Sequence, residues 1–441
     1  MPPKTSRLRL RPASGQSVPV TDPARHAALD LLTAALGRKA GLETALDGAS
    51  LAGLAPQDRA FARALAMATL RHLGPIDQAL DRCLQRPPPE PVRMILRLGA
   101  AQLFHLDTPA YAAVNSSVTL AETVRGAKVF KPLINAVLRR LGRDGLGESG
   151  PADLAPPWLF ARWRAAYGEE NARAIAAKIS DEPLADLTPR DPADAPALAE
   201  VLGATVLPGG SLRRQGGGRV EEWPGFAEGR WWVQDAAAAI PARLLAAQPG
   251  ETALDLCAAP GGKALQLAAA GARVTALDRS AVRLARLGEG LHRTGLAGEM
   301  VVAGAEAWPD ERTFDAVLLD APCTSSGTFR RNPDVLWTLR PGDVAKLAEV
   351  QARLLAAAAR HVRPGGRLLY CVCSLETEEG EAQARGFLKR HPEFTSFAAS
   401  PGEAGAPAAS LTSEGWLRIL PHHLDGGLDG FFVARFTRRP G

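Results

Sequence analysis

The sequence predicts a multidomain protein with an all-α N-terminal domain, a small α/β module and a larger α/β domain. Three observations lead to this interpretation. After residue 20, leucines such as Leu29, Leu32 and Leu36 recur at helical spacing. A segment rich in glycine and proline follows at 142–157. Beyond residue 231, apolar strands alternate with helices, which is typical of a mainly parallel sheet covered on both faces.

The composition is that of a soluble globular protein. The chain has 441 residues, of which 46% are hydrophobic, so two or three domains are expected. Its five cysteines are too few for a disulfide framework in a chain of this length. The basic N-terminus has no apolar segment of the kind that a secretory signal needs, and no apolar run reaches the ~18 residues of a membrane span. We therefore expect a cytoplasmic protein with no membrane partner. The net charge of +5 favours a polyanionic partner only weakly.

The N-terminal part is predicted to be helical throughout. Residues 1–20 mix basic residues with proline, serine and glycine and are expected to form a flexible basic tail. Residues 21–146 show the pattern of six or seven helices, and the first begins at 21–23, where a threonine cap precedes a proline. Asn115 and Asn135 interrupt apolar helical runs, so we expect buried amides with satisfied hydrogen bonds there. Nothing in this part indicates catalysis.

The small module at 151–230 combines short helices with short strands. Helices are expected at 158–167, 172–179 and 195–202, and a strand-like run lies at 185–191. A glycine-rich loop at 209–218 carries Arg213 and Arg214. Such a loop suits contacts with a nucleic-acid backbone, although arginines also occur in loops for solubility alone.

The larger domain at 231–441 alternates strands and helices. The predicted strands are 251–256, 273–278, 300–303, 314–319 and 367–373. The predicted helices are 236–247, 263–270, 280–294 and 343–361. A final pair of runs, at 416–420 and 431–436, is expected to add antiparallel strands at an edge of the sheet.

A glycine turn, Asp-Leu-Cys-Ala-Ala-Pro-Gly-Gly-Lys at 255–263, joins a predicted strand to a predicted helix. Glycines let a ligand approach the backbone, and the helix start offers free N–H groups. The turn is neither a P-loop nor a GxGxxG motif, so a pyrophosphate group is not the expected ligand. Asp278 ends the next strand, where an acid binds ribose hydroxyls. These features favour a nucleoside-like cofactor without a phosphate chain, and S-adenosylmethionine fits that description.

Thiols follow two other strands of the same domain. Asp320-Ala-Pro-Cys323 comes directly after one strand, and Cys371 and Cys373 close another. Ligands of open α/β sheets bind at the carboxyl ends of the strands, so these groups are expected near the glycine turn. A metal site is not expected, because no CxxC pair or nearby histidine supplies a closed ligand shell. A loop cysteine beside a cofactor is a candidate nucleophile.

Taken together, the motifs at 255–263, 320–323 and 373–374 resemble those of the RNA cytosine-5 methyltransferases. The similarity is greatest to the RsmB-like (Fmu/Sun) members that modify 16S ribosomal RNA. Supporting stretches are Trp232-Val-Gln-Asp235, 327–334 and Asp429-Gly-Phe-Phe432. The N-terminal helices resemble the NusB-like RNA-binding domain of those members. The resemblance implies a NusB-like domain at 21–146, an RNA-contacting module at 151–230 and a Rossmann-like methyltransferase domain at 231–441.

The resemblance also implies an activity and a set of site residues. The activity is methyl transfer from S-adenosylmethionine to C5 of a cytosine in RNA, most closely 16S ribosomal RNA. We expect a monomer, since nothing in the sequence indicates an obligate oligomer. Cys373 would add to cytosine C6, Cys323 would assist release of the product, and Asp320 would contact the cytosine edge. The pair Arg330-Arg331 would face RNA phosphate. The cofactor would be bound by Cys257, Ala258, Ala259, Pro260, Gly261, Gly262, Lys263, Asp278 and Asp320.

The chain departs from the family pattern at several positions, and two other functions remain open. Ala264 stands where the family has threonine or serine, and Gly304 stands where an acid is expected near adenine, with Glu306 close by. One alternative is a DNA-type cytosine methyltransferase with Cys323 as nucleophile, which the presence of Cys373 argues against. The other is an RNA-binding assembly or antitermination factor with a degenerate methyltransferase domain.

Overall fold

The computed structural model of the protein describes residues 22–37, 41–46 and 49–441. The tail expected at 1–20 lies outside these residues. The chain divides into two compact units. The first consists of the described parts of Met1–Leu32, Gly48–Thr69 and Ile76–Leu146, and the second of the described parts of Thr33–Asp47, Leu70–Pro75 and Gly147–Gly441.

The N-terminal part is all helical, as predicted, and among the described residues it contains eight α-helices. These are α1 Pro23–Leu36, α2 Gly41–Leu46, α3 Ala49–Ala52, α4 Pro56–Arg71, α5 Leu73–Cys83, α6 Glu90–Phe104, α7 Ala110–Thr123 and α8 Lys131–Asp144. Helices α6, α7 and α8 approach closely at Gly99, where a Cβ atom would lie 2.6 Å from the side chain of Leu138 and 2.8 Å from Oγ of Ser117. A larger residue at Gly99 would therefore force these helices apart.

The prediction of two buried asparagines in these helices is wrong. Asn115 is exposed on α7. Asn135 is only half-buried, and its side-chain oxygen accepts a hydrogen bond from Nε of Arg139 one turn later. Both amides lie on outward faces of amphipathic helices, where a polar residue needs no buried partner.

The small module forms a four-stranded antiparallel sheet in the order β2-β3-β1-β4. Its helix α9 is broken at Gly168, where φ is 82°, so it corresponds to the two short helices that were predicted. Arg213 and Arg214 lie on strand β3 and not in a loop. The elements are α9 Pro157–Ala177, β1 Ala185–Pro189, α10 Ala195–Leu202, β2 Ala204–Val206, β3 Leu212–Arg214 and β4 Trp231–Val233.

Arg213 is buried in this module, so the predicted phosphate contact is wrong for this residue. Its guanidinium forms a fork with the carboxylate of Asp186, at 2.7 Å and 2.8 Å. It also donates to the carbonyl of Gly427. A buried arginine of this kind is satisfied by the protein and is not available to an RNA backbone.

The remaining chain forms one mixed sheet with helices on both faces. The strands are β5 Thr252–Leu256, β6 Arg273–Asp278, β7 Glu299–Val302, β8 Phe314–Asp320, β9 Val362–Val372, β10 Phe394–Ser396, β11 Leu417–Ile419 and β12 Phe431–Arg438. The helices are α11 Ala236–Leu245, α12 Gly262–Ala269, α13 Ala281–Thr294, α14 Val335–Thr338, α15 Pro341–Arg360 and α16 Glu381–Arg390. The strand order is β10-β12-β9-β8-β5-β6-β7, and β11 pairs with β12.

The core lies on both sides of this sheet. Alternate residues of β8 face opposite layers: Ala316 and Leu318 pack on the side of α11–α13, and Val317 and Leu319 on the side of α15 and α16. This arrangement explains why β8 reads as a nearly continuous apolar run. Strand β10 and helix α16 were not predicted, whereas the antiparallel final strands were, as β11 and β12.

The fork between Arg213 and Asp186 predicts a large effect on stability. In Arg213→Met, Asp186 would keep a buried carboxylate without its cation, which costs about 3–5 kcal/mol. Urea unfolding followed by tryptophan fluorescence measures the loss. Arg219→Met is the matched control, because Arg219 is 75% exposed and pairs only at the surface. Equal midpoints for the two variants would contradict the prediction.

Candidate active site

Strand register brings the ends of four strands to one edge of the sheet. Strands β5, β6, β8 and β9 are parallel neighbours. Leu256 lies beside Leu277 and Leu319, and Asp320 lies beside Cys371. The residues that follow these positions therefore leave the sheet together. The glycine turn, Asp278, Asp320 and both loop thiols meet at this edge as a consequence.

The glycine turn between β5 and α12 has a backbone that requires its glycine. Gly261 has φ of 119°, and a Cβ atom there would lie 2.5 Å from the side chain of Leu287. The carboxylate of Asp278 holds the turn, because Oδ2 accepts from the backbone N–H of Ala259 at 3.2 Å. Its other oxygen accepts from the N–H of Ser280 at 2.8 Å.

The groups around this turn fit a nucleoside. Each carboxylate oxygen of Asp278 accepts one hydrogen bond within the protein, which leaves acceptor capacity for a ribose hydroxyl. Val302 ends strand β7 next to Asp278 and is 58% exposed, so an apolar surface is present for a base. Gly304 is exposed in the same loop and offers no acid. The carboxylate of Glu306 is paired with Arg353 at 2.8 Å.

Lys263 links the glycine turn to the strand that carries the first thiol. Its Nζ lies 2.7 Å from Oδ2 of Asp320 and is positioned over the ring of Phe431. Burial alone would lower the pKa of Lys263, but Asp320 raises it above its ordinary value. The other oxygen of Asp320 accepts from the buried thiol of Cys371 at 3.5 Å. Asp320 is thus fixed on both sides while its side chain stays 31% exposed.

The two loop thiols are in contact. Sγ of Cys323 lies 3.5 Å from Sγ of Cys373, and Oγ of Ser325 lies 3.6 Å from Sγ of Cys373. The backbone N–H of Gly327 donates to the carbonyl of Cys373, which ties the two loops together beside the thiols. Cys371 is buried against Asp320 and does not take part in this contact.

The contact makes the two thiols unequal. The hydrogen bond with Cys373, together with burial, raises the pKa of Cys323 well above its ordinary value. Cys373 accepts this same hydrogen bond, which lowers its pKa even though burial opposes the change. Either sulfur atom can donate across this contact, and these two pKa directions correspond to a thiol at Cys323 that donates to a thiolate at Cys373. A thiolate is the nucleophilic form of cysteine.

The basic pair after the first thiol loop is divided between two roles. Arg330 is 1% exposed and donates to the carbonyl of Gly426, so the expectation that it faces RNA phosphate is wrong. Arg331 is 45% exposed and pairs with the fully buried carboxylate of Asp429. Burial raises the pKa of Asp429 to about 6, and Arg331 opposes that rise. Of these two arginines, only Arg331 is exposed enough to contact a ligand.

A layer of buried polar residues behind the thiols was missed by sequence reasoning. It consists of Thr324, Ser326, Gln351, Ser374 and Glu379, all of which are buried. The available signal was the hydroxyl-rich run after Cys323 and the glutamate-rich run after Ser374. Within the described ranges, no group of three or more histidine, cysteine or acidic side chains is arranged to hold a metal ion.

The mixed sheet, the glycine turn and the strand-end acids define an S-adenosylmethionine-dependent methyltransferase. Residues 242–437 match the family described as 16S rRNA methyltransferase RsmB/F, and residues 22–143 match the NusB family. Ribosomal RNA small subunit methyltransferase B of Sodalis glossinidius is 36% identical over 414 residues, which cover 88% of this chain and 91% of that protein. The probable enzyme of that name from Synechocystis is also 36% identical, over 87% of this chain and 92% of its own length. The chain belongs to the RsmB family of ribosomal RNA small subunit methyltransferases.

Solved structures share the fold of this chain. PH0851 superposes with a TM-score of 0.77 at 25% identity, over 95% of this chain and 99% of its own. NSun6 from Pyrococcus horikoshii has the same fold, with a TM-score of 0.55 at 20% identity over 65% of this chain and 99% of its own. The cofactor of the methyltransferase domain is S-adenosylmethionine. Among the described residues, no helix combines the length and the apolar character that crossing a bilayer requires.

The unequal thiols predict a distinctive reactivity. Cys373 should react with iodoacetamide faster than the other cysteines, and its rate should rise with pH around a midpoint below that of an ordinary thiol at about 8.5. In Cys323→Ala the hydrogen bond to the thiolate is lost, so the midpoint should move up. Mass spectrometry of the alkylated peptides measures both rates. Identical pH profiles of Cys373 in the wild type and in Cys323→Ala would contradict the prediction.

Proposed function

We propose that the protein transfers a methyl group from S-adenosylmethionine to C5 of a cytosine in 16S ribosomal RNA through a covalent adduct between Cys373 and C6. The observation that carries the proposal is the pair of thiols 3.5 Å apart beside the Lys263–Asp320 ion pair. One thiol is enough to add to C6 and to be expelled again. A second thiol in contact with it is placed to assist that expulsion.

Cys373 supplies the nucleophile. Cytosine C5 is a poor nucleophile, and addition of a thiolate at C6 converts the ring into an enamine-like species that attacks a methyl electrophile. Bound S-adenosylmethionine supplies that electrophilic methyl group. Cys373 is suited to the addition because Cys323 donates to it and lowers its pKa. Ser325 lies within reach of the same sulfur atom.

Asp320 orients the cytosine. Its carboxylate is held by Lys263 on one oxygen and by Cys371 on the other, and part of it faces outward. A carboxylate in that position accepts from the exocyclic N4 amino group, which distinguishes cytosine from uracil. Lys263 and Asp278 belong to the glycine turn, and we assign cofactor binding to them together with residues 257–262.

Cys323 assists the release of the product. After methyl transfer the C5 proton passes to water, the electron pair of the C5–H bond restores the C5=C6 double bond, the C6–S bond breaks and Cys373 departs as a thiolate. Cys323 keeps its proton at neutral pH, because its pKa is raised well above the ordinary value by the contact with Cys373 and by burial. Its S–H group therefore stabilises the departing thiolate across 3.5 Å.

RNA binding is assigned to the parts of the chain outside the catalytic sheet. We propose that residues 21–146 form the NusB-like RNA-binding domain, that 151–230 form an RNA-contacting module and that 231–441 form the catalytic domain. Arg331 is a half-exposed cation in the segment that follows Cys323, and its guanidinium suits a phosphate oxygen. We expect the protein to act as a monomer in the cytoplasm.

Replacement of the proposed nucleophile predicts complete loss of the modification. In Cys373→Ala no adduct at C6 forms, so methyl transfer should fall below detection while cofactor binding persists. Bisulfite sequencing of ribosomal RNA from a deletion strain that carries either the wild-type or the variant gene measures the result. The wild type should restore an unconverted cytosine and the variant should not. If wild-type protein labels no RNA from tritiated S-adenosylmethionine, the RNA-binding factor is the better interpretation.

Replacement of the second thiol predicts a trapped intermediate. In Cys323→Ala, addition to C6 still proceeds, but expulsion of Cys373 is slowed because the donor to the leaving thiolate is lost. A covalent protein–RNA complex should accumulate and resist denaturing electrophoresis. Cys323→Ala combined with Cys373→Ala should abolish the complex. A complex that survives the double replacement would show that neither assignment is correct.

A further inference from the structure

A buried carboxylate lies behind the two thiols. Glu379 is 0% exposed and belongs to the segment between strand β9 and helix α16. Its oxygens accept from four neutral donors: the backbone N–H of Thr324 at 3.0 Å, the hydroxyl of Thr324, the hydroxyl of Ser374 and Nε2 of Gln351 at 2.9 Å. Four donors match the acceptor capacity of an ionised carboxylate.

Three of these donors belong to the two loops that carry the thiols, and the fourth, from Gln351, lies on helix α15. Thr324 directly follows Cys323, and Ser374 directly follows Cys373. Gln351 also donates to the carbonyl of Pro322 at 3.0 Å, so the backbone is held immediately before and immediately after Cys323. One carboxylate is therefore bonded next to both sulfur-bearing residues.

The position of Glu379 is itself fixed from below. The hydroxyl of Tyr370, a fully buried residue of β9, donates to the backbone carbonyl of Glu379. The backbone N–H of Glu379 donates to the carbonyl of Glu376. Ser326 completes the layer, since its hydroxyl accepts from the N–H of Leu375 at 2.9 Å. The backbone of Glu379 is thus bonded to the sheet through Tyr370.

We propose that Glu379 is a positioning residue that holds Cys323 and Cys373 in contact by bonding the residue that follows each of them. The inference rests on the proposed function of the two thiols. Glu379 touches neither sulfur nor substrate in this arrangement, because Thr324 and Ser374 lie between it and the thiols. It acts through the distance and orientation of the two sulfur atoms, on which both the S–H···S hydrogen bond and the attack on C6 depend.

The carboxylate suits this position because one oxygen accepts from two groups that can only donate, the backbone N–H of Thr324 and Nε2 of Gln351. The other oxygen accepts from the hydroxyls of Thr324 and Ser374. Glu379→Gln keeps the volume, but these hydroxyls must turn round to accept from its NH₂ group and the negative charge that strengthens all four hydrogen bonds is lost, so the common anchor of the two loops is weakened. The thiols should then separate while the cofactor site on β5 and β6 stays in place.

The test compares Glu379→Gln with Glu378→Gln. Glu378 is the neighbouring residue, is half-exposed and pairs with Arg162 at the surface, so it controls for loss of a glutamate in this segment. Two readouts are needed: kcat for RNA methylation, and the pH profile of Cys373 alkylation without RNA. The charged and titratable groups that face Cys373 are Cys323, Asp320, Lys263 and Arg331, and both variants leave them unchanged.

The expected result for Glu379→Gln is a fall in kcat of about 10²-fold, as displacement by about 1 Å produces, with unchanged affinity for S-adenosylmethionine. The alkylation midpoint of Cys373 should rise towards that of a free thiol, because the donor from Cys323 is lost. Glu378→Gln should match the wild type in both readouts. A merely stabilising role would lower the unfolding midpoint and leave the alkylation profile unchanged, and that outcome would overturn the proposal.

A second pair of variants keeps the proposal testable if Glu379→Gln does not fold. Thr324→Val removes one hydroxyl donor to Glu379 at nearly constant volume, and Thr324→Ser retains that donor. The serine variant should keep kcat and the alkylation profile, and the valine variant should lose both. Equal behaviour of the two would overturn the proposal. The alkylation readout uses no RNA, so a wild type without methyltransferase activity would refute the proposed function alone.

Discussion

The register of the parallel strands is the constraint on which the site depends. Leu256, Leu277 and Leu319 lie side by side, and Asp320 lies beside Cys371. A shift of one residue in β8 would move Asp320 away from Lys263 and turn its side chain to the other face of the sheet. The apolar faces of β8 pack against helices on both sides, so the hydrophobic core itself prevents that shift. The energy that maintains the catalytic geometry thus comes mainly from burial of residues that take no part in the chemistry.

Burial also determines the electrostatics of the site. It raises the pKa of Cys257 to about 12 and that of Asp255 to about 8, so neither adds a full negative charge near the cofactor at neutral pH. Asp320 keeps its role because Lys263 lies 2.7 Å away. Cys373 is the exception among the buried thiols, since a donor compensates for its desolvation. One hydrogen bond therefore distinguishes the pKa of Cys373 from the raised pKa values of the other buried thiols.

Buried ion pairs in this protein connect loops to one another. Arg213 and Asp186 join the small module to the loop at Gly427, and Arg331 and Asp429 join the segment after Cys323 to the start of β12. Each pair brings together residues far apart in sequence. Such pairs contribute little net stability when they form, but they cost much when one partner is lost. They are suited to fix which loop conformation is adopted, and this is the property that a two-thiol site needs.

The sequence alone was sufficient to predict the order of the helical and α/β parts, most strands and helices of the large sheet, and the motifs of the site. Hydrophobic periodicity and glycine turns are local signals, so they can be read without the tertiary structure. The contact between Cys323 and Cys373, the burial of Arg213 and Arg330, and the exposure of Asn115 were decided by tertiary structure. An arginine next to glycines gives the same local pattern whether its partner is a phosphate or a carboxylate, because the partner lies elsewhere in the chain, as Asp186 does for Arg213, or in another molecule. Glu379 shows the same limit. The glutamate-rich segment around it has the pattern of a solvated acidic surface. Only the packing of β9 against α15 and α16 turns Glu379 inward, towards the loops that carry the thiols.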